Sequence, residues 1–493
     1  MGFFDLFRSP APVVERSMAP NPHRNPRVRS GFFSTEVNRL LHGWDTSSNS
    51  IDYYLRGELT GLRARSRKMV RANPYGKRFI AMIKSNVVGP NGVTIQAQTT
   101  RFRQNEGLVL DTRANEAIEA AFLDWALYHC DYTGKSTWID LQNMAISCAA
   151  QDGEFLFRKM YAGKYGYQLK CIDPELLDIQ KNEKTKNGEI RLGVEYNAAG
   201  RAINYWFREL NSGLYNSGKS IAVPAGQIIH GFISEWPDQS RGAPWMHASL
   251  ERGKHLEKYE EAAIVKARST AATFGVMTSN GGEDSYAGDE DAGDGVTLDQ
   301  YEAGTIKDIG DRTFQNVDSS YPHQMYAAFV KSQLQGIASG LGISYHSLAN
   351  DLEGVNYSSI RAGVLEDREV FKGLQNWFIR SLVRPVYDDW LVFALTKQAI
   401  KIGTVPLSRD VNDYRGAHYQ GRRWAWVDPQ KDGAANKLAI DERLKSRSQI
   451  MRDAGDDPES TWLEIQREEQ LLEKLGIQPI VKEQQPVEDK ADE

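Results

Sequence analysis

The stretch from Tyr321 to Lys397, YPHQMYAAFVKSQLQGIASGLGISYHSLANDLEGVNYSSIRAGVLEDREVFKGLQNWFIRSLVRPVYDDWLVFALTK, decides how the chain is built. Met325, Phe329, Val330, Leu334, Ile337 and Leu341 recur at helical spacing and lay an apolar stripe down one face. Gly340 and Gly342 end that helix. The next segment, SYHSLANDLEGVNYSS, has no apolar period, and its Asn350, Asp351, Gly354 and Asn356 favour turns. From Ser358 the pattern resumes through Ile360, Val364, Phe371, Leu374, Phe378 and Leu382, and Pro385, which has no amide hydrogen, should kink the helix. The reading is a helical hairpin with a polar loop at its tip.

Just before the hairpin, SNGGEDSYAGDEDAGDG (Ser279 to Gly295) carries six acids and no base, and reads as a solvated loop. Trp245 to Gly275 reads as a helix rich in small residues, Ala262, Ala263, Ala267, Ala271 and Ala272, which let neighbouring helices approach closely. Earlier still, helices over Asn115 to His129 and Trp138 to Ala150 precede strand-like runs such as GEFLFRKM, YGYQLKCIDP and AINYWFREL. Val194 to Asn204 has the pattern of a hairpin turning at Ala198 to Gly200, and VVGPNGVTI (Val87 to Ile95) reads as extended chain with a turn. Phe33 to about Trp245 is therefore expected to be an α+β domain. Arg63, Arg65, Arg67, Lys68 and Arg71 cluster in LRARSRKMVRANP, expected as a solvated or subunit-contacting surface. After the hairpin, Ser446 can cap one short helix and Asp457 with Pro458 can open another that Gly476 closes.

A chain of 493 residues exceeds what one core usually organises. A net charge of -5 and a pI near 6.1 argue against a surface that grips nucleic acid phosphates over most of its area. Cys130, Cys148 and Cys171 are an odd number of thiols and fit a reducing cytoplasm. The opening MGFFDLFRSPAPVV is broken by Pro10 and Pro12, so it does not read as a secretory signal, and no apolar run reaches the length of a membrane span.

One segment fits the G-x-x-x-x-G-K-[ST] template of a phosphate-binding loop: Gly213, Gly218, Lys219 and Ser220. That chemistry needs a helix after the loop, whose first amides and dipole hold the phosphates. Ile221, Val223 and Pro224 oppose a first helical turn, so the expectation is a polar loop between two strands. Asp289 and Asp291 begin like a calcium loop, but Gly293 and Gln300 stand where further ligands are needed. The cysteines and His129 lack metal-site spacing, and no nucleophile motif occurs, so neither an enzyme nor a cofactor is expected.

Five segments, taken in order, resemble the lambda-type family of bacteriophage portal proteins along nearly the whole chain. They are Leu62 to Val93, Gly193 to Trp206, Val223 to Ala267, Gly342 to Glu369 and Trp426 to Trp462, of which NYSS-x-RAG-x-L-E (Asn356 to Glu366) is the most specific. The resemblance implies an α+β protein of wing, stem, clip and crown, with long stem helices and a kinked tunnel helix. It also implies a ring, usually of twelve copies, at one capsid vertex.

Mapped onto this sequence, the family plan gives a flexible basic, proline-rich arm (1–32), a wing (33–245) and a first stem helix (246–275). A clip with the acidic loop (276–320), a second stem helix (321–345) and a tunnel loop (346–357) come next. A kinked tunnel helix (358–402), a helical crown (403–475) and a disordered tail (476–493) complete it. Implied partners are double-stranded viral DNA passing through the channel, the terminase, and capsid, scaffold and head-completion or adaptor proteins, with no membrane. Assembly is expected in the host bacterial cytoplasm and residence in the virion. His346, Asn350, Asp351, Glu353 and Asn356 are the expected channel-facing residues, with Lys331 and Arg361 as transient DNA contacts. A packaging ATPase built on the Gly213 to Ser220 loop and a head-tail adaptor ring are the alternatives.

Overall fold

The computed structural model describes residues 48–103, 107–186, 188–208, 219–272, 275–279, 312–316, 325–353, 357–407, 410–424, 429–454 and 458–476. The chain divides into two units, Met1–Ser50 and Ile51–Glu493, and every helix and strand named here belongs to the second. The expected arm and nearly all of the expected tail and acidic loop lie outside the described residues.

Helix α1 (Ile51–Ala72) is joined at once to α2 (Pro74–Ile83), because Asn73 accepts hydrogen bonds from the Tyr75 and Gly76 amides and proline occupies the first turn. α2 runs on into a π-helical turn, Lys84–Val88, so Val87 and Val88 are helical and buried rather than extended as the sequence suggested. Strands β1 (Thr94–Ala97), β2 (Thr100–Arg103) and β3 (Gly107–Leu110) precede α3 (Thr112–Asp124), which continues as a π-helical turn to His129. A capping box between Thr137 and Asp140 opens α4 (Trp138–Asp152). Gly153, at φ 91, ends it where a side chain would collide with Gly242 and Ala243.

Two antiparallel sheets come after α4. β4 (Glu154–Met160) and β5 (Gln168–Ile172) form one with β11 (Ile228–Phe232), and β4 is its centre. The second has five strands: β6 (Glu183–Thr185), β7 (Gly188–Arg191), β8 (Val194–Asn197), β9 (Ala202–Arg208) and β10 (Ser220–Pro224). The expected hairpin between Val194 and Asn204 is the β8–β9 pair, with its turn closed by Asn197.

The long helix α5 (Leu250–Ala272) leads to the pair β12 (Gly275–Ser279) and β13 (Arg312–Asn316), and then to α6 (Tyr326–Leu341). A short helix α7 (Tyr345–Ala349) and the long α8 (Tyr357–Phe378) come next. α8 passes through a π-helical turn, Ile379–Val383, into α9 (Arg384–Thr396). The discontinuity expected at Pro385 is therefore absorbed just before it. The wider turn brings Leu382, Val383, Val386 and Tyr387 all into the core.

The chain then forms the small pair β14 (Lys401–Ile402) and β15 (Val405–Pro406), and β16 (Ala417–Gln420). β16 returns to pair antiparallel with β1, Thr94 opposite Gln420 and Ala97 opposite Ala417. Helices α10 (Pro429–Asp441), α11 (Arg447–Ala454) and α12 (Pro458–Lys474) end the described chain. Ser446 accepts the Gln449 amide as the cap of α11, as its sequence indicated.

The main core draws on both ends of this unit. Trp125 and Trp390 are fully buried, and Phe122 meets Trp390 edge-on at 5.0 Å between ring centres. The Trp125 indole donates to the Tyr167 carbonyl at 2.8 Å, which satisfies its polar atom. Phe79, Ile146, Phe157, Ile337 and Phe378 belong to the same cluster, so α2, α4, β4, α6 and α8 share one interior. A smaller cluster, with Leu156, Leu177, Val194 and Phe207, joins the two sheets.

Candidate functional site

The segment after α6 is held to the body of the protein by Asp367 of α8. Its carboxylate is buried and accepts hydrogen bonds from the Ser344 amide at 2.8 Å and from the Ser344 and Ser347 hydroxyls, both at 2.7 Å. Gly342 at φ 67 lets the chain leave α6, and Ser344 caps α7. The expected loop thus contains a turn of helix. The lack of an apolar period concealed it, although Ser344 is a residue type that caps helix N-termini.

Beyond α7 the chain reverses at Asn350, which takes a left-handed conformation at φ 55 that asparagine tolerates. Asp351 organises the turn around itself. It accepts the Tyr345 hydroxyl at 2.7 Å and the Glu353 amide at 3.0 Å, lies 3.8 Å from the Lys331 ammonium, and offers its carbonyl to His346 Nδ1 at 2.8 Å. The Tyr345 hydroxyl, the Glu353 amide and the nearby Lys331 and His346 hold the Asp351 carboxyl below its usual range. Partial burial and Asp351 push the Tyr345 phenol up to about 12.

Of the seven expected channel residues, the fold brings His346, Asp351 and the Glu353 backbone into one hydrogen-bonded group, with Lys331 as an ion-pair partner of Asp351. Asn350, Leu352 and the Glu353 side chain stand out into solvent. Arg361 is half-buried in the second turn of α8, and Asn356 lies outside the described residues. Asp367 was not singled out from the sequence because its role depends on contacts between separate helices, and Tyr345 because its hydroxyl reaches Asp351 across a turn that residue pattern does not reveal.

α5 and α6 pack where glycines permit. Side chains at Gly336 and Gly340 of α6 would collide with Arg252 and Ser249, and one at Gly253 of α5 would collide with Met69 of α1. Ser249 donates to the Ile337 carbonyl at 3.0 Å, and Tyr259 lies against Phe329 at 4.7 Å between ring centres. α5 buries Leu250, Leu256 and Ala263 on this side. Elsewhere α5 presents Ile264 and Val265, each 57% exposed.

The basic cluster of α1 corrects the expectation that it forms a surface. Arg63 is buried and donates to Glu154 at 2.6 Å, where Arg241, also buried, approaches at 2.6 Å and His230 Nε2 lies 3.0 Å from the other oxygen. The Gly242 amide completes the shell at 3.0 Å. Burial opposes ionisation of Glu154, yet Arg241, Arg63 and His230 together hold its carboxyl well below the ordinary range. Arg67 grips Asp152 at 2.7 Å and Asp173 at 2.6 Å. Only Arg65, Lys68 and Arg71 of the cluster point outward.

The phosphate-loop pattern does not lead into a helix. Ser220 opens β10, opposite Arg208 of β9, and its hydroxyl donates to Asp178. Lys219 precedes that strand, while Gly213 and Gly218 lie outside the described residues. Among the described residues no group of potential ligands could hold a metal ion, and no helix is long and apolar enough to cross a membrane.

A family model described as phage portal protein, lambda family, matches residues 37–375. The probable portal protein of Halomonas phage phiHAP-1 is 30% identical over 468 residues, covering 92% of this chain and 89% of that protein. Portal protein B of Escherichia phage lambda is 22% identical over 520 residues, covering 95% of each. Among solved structures, a chain from the neck of an empty gene transfer agent particle aligns with a TM-score of 0.42 at 14% identity, covering 80% of this chain and 94% of that one. On the family match and the Halomonas phage relative, this chain belongs to the lambda family of phage portal proteins.

Proposed function

We propose that this portal protein closes into a ring of about twelve copies at one capsid vertex, since one chain cannot enclose a duplex and a heterologous contact repeated by rotation closes a channel. Genomic DNA enters and leaves through that channel. In this reading residues 33–245 form the wing, 246–275 and 321–345 the stem, 276–320 the clip, 346–357 the tunnel loop, 358–402 the tunnel helix and 403–475 the crown. The clip serves the terminase first and head-completion proteins later, and the ring is assembled in the host cytoplasm with capsid and scaffold proteins.

The observation that carries the reading is the uncovered apolar surface of α5. Ile264 and Val265 are large apolar side chains of α5 that the described chain leaves more than half exposed. Neighbouring copies of the same pair supply the cover.

Within the channel, the arrangement around Asp351 favours passage over capture. Lys331 is engaged by Asp351, so its charge is partly spent inside the protein, and Asn350 and Glu353 are what the loop offers to DNA. A basic lining would bind the phosphates through counterion release and hold the duplex in place.

The test is light scattering with negative-stain imaging of the wild-type chain and of an Ile264→Lys, Val265→Lys variant. The wild type should give rings with an axial opening, and the variant should lose them while keeping its helical content. A folded variant that still forms rings overturns the assignment of this face. A wild type that stays monomeric with its scaffold partner present overturns the ring itself.

A further inference from the structure

A surface recess of about 460 Å³ opens between α1, α4 and β5 and is lined by Arg67, Arg71, Met144, Cys148, Cys171 and Asp173 among others. Two of the chain's three thiols therefore share one wall, one on a helix and the other on a strand. Across that wall each thiol acts on the other, the proton affinity of Cys148 rising and that of Cys171 falling. Both are partly accessible rather than sealed, and Arg71 and Met144 at the recess are exposed. Cys130 differs in every respect, being buried with its thiol turned to the Ala126 and Ser136 carbonyls.

We propose that Cys148 and Cys171 are a redox site that closes to an intramolecular disulfide when the protein meets a small disulfide oxidant such as glutathione disulfide. The neighbouring Cys148 lowers the proton affinity of Cys171, while Cys171 and burial raise that of Cys148, which makes Cys171 the attacking sulfur. The Cys171 thiolate attacks one sulfur of the oxidant, forming a mixed disulfide and expelling one glutathione thiolate. Cys148 gives up its proton to that thiolate and attacks the Cys171 sulfur, expelling the second. The protein loses two hydrogens, and the oxidant becomes two molecules of reduced glutathione.

The bond would tie α4 to β5 beside Asp152 and Asp173, the two carboxylates that grip Arg67 of α1. A covalent link would then reinforce a junction that ion pairs, the hydrogen bond from Ser66 to the Gln151 carbonyl and core packing hold in the reduced chain. This chemistry does not depend on ring assembly.

The full-length chain, reduced or equilibrated with glutathione disulfide, is unfolded and alkylated, and the added groups are counted by intact mass. The reduced chain should take up three groups, one per cysteine, and the oxidised chain should lose two of them, with proteolysis releasing Cys148 linked to Cys171. Cys130→Ser should lose both of its remaining sites on oxidation. Cys148→Ser should stop at the mixed disulfide and retain glutathione on Cys171. Full alkylation after oxidation, glutathione retained by the wild type, or a cross-link through Cys130 or between chains would each overturn the proposal.

Discussion

At the scale of the residue, the Glu154 cluster shows why a charge can be buried. Its carboxylate is met by two guanidinium groups, an imidazole and an amide, and the Arg241 guanidinium is further satisfied by the Leu192 carbonyl at 2.8 Å and the Pro174 carbonyl at 3.0 Å. Removing the anion leaves two buried cations facing each other. Glu154→Gln should therefore destabilise the chain by about 3–5 kcal/mol, read from urea denaturation monitored by tryptophan fluorescence. The same group sets a pH dependence. Because its folded-state affinity for a proton lies below the ordinary glutamate value of 4.5, its contribution is fully present above that pH. As pH falls below that value, the unfolded chain takes up the proton first, and the contribution is lost progressively. The wild-type urea midpoint should thus fall more steeply in acid than that of Glu154→Gln.

At the scale of the element, close approach and local turns matter more than propensity. α6 meets the start of α5 through Gly340, and Ser249 both occupies that gap and donates to the Ile337 carbonyl. Gly340→Val should cost about 1–3 kcal/mol by overpacking, and hydrogen exchange of the α6 amides should speed up locally. The apolar stripe of α6, most strands of both sheets, the Ser446 cap of α11 and the stop of α12 at Gly476 were legible in the sequence, because period and turn chemistry are local properties, while the expected cap Asp457 lies outside the described residues. The pairing of β1 with β16 was not, since nothing near Thr94 or Gln420 names its partner. Nor was the inward turn of Arg63 and Arg67, whose acids Asp152, Glu154 and Asp173 lie 85 to 106 positions away. The π-helical turns at Lys84–Val88, Trp125–His129 and Ile379–Val383 were missed for a related reason. Each spreads buried side chains around a helix in register with a core assembled from distant elements. In the expected channel segment, residue type marked the exposed Asn350 and Glu353, while the anchoring of α7 by Asp367 required the fold.

At the scale of the whole molecule, the proposed channel works by withholding affinity. Asn350→Lys with Glu353→Lys should make the ring bind duplex DNA more tightly, with a log–log salt slope steepened by about 0.9 for each added phosphate contact. DNA packaging by such particles should slow, and duplex retention on the purified ring measured at two salt concentrations checks the first half of that statement. The antiparallel match of Thr94–Ala97 with Ala417–Gln420 has another consequence, in time rather than space. A ribosome emits about 5–20 residues per second, so the first strand waits roughly 16–64 s for its partner. Until then the first strand has no partner to pair with, and for most of that time the aromatic core lacks Trp390. α5 and α6 are synthesised within that interval. The chain therefore finishes its proposed ring-forming surface before it finishes its own interior, and subunits that associate during translation would do so with incompletely folded bodies.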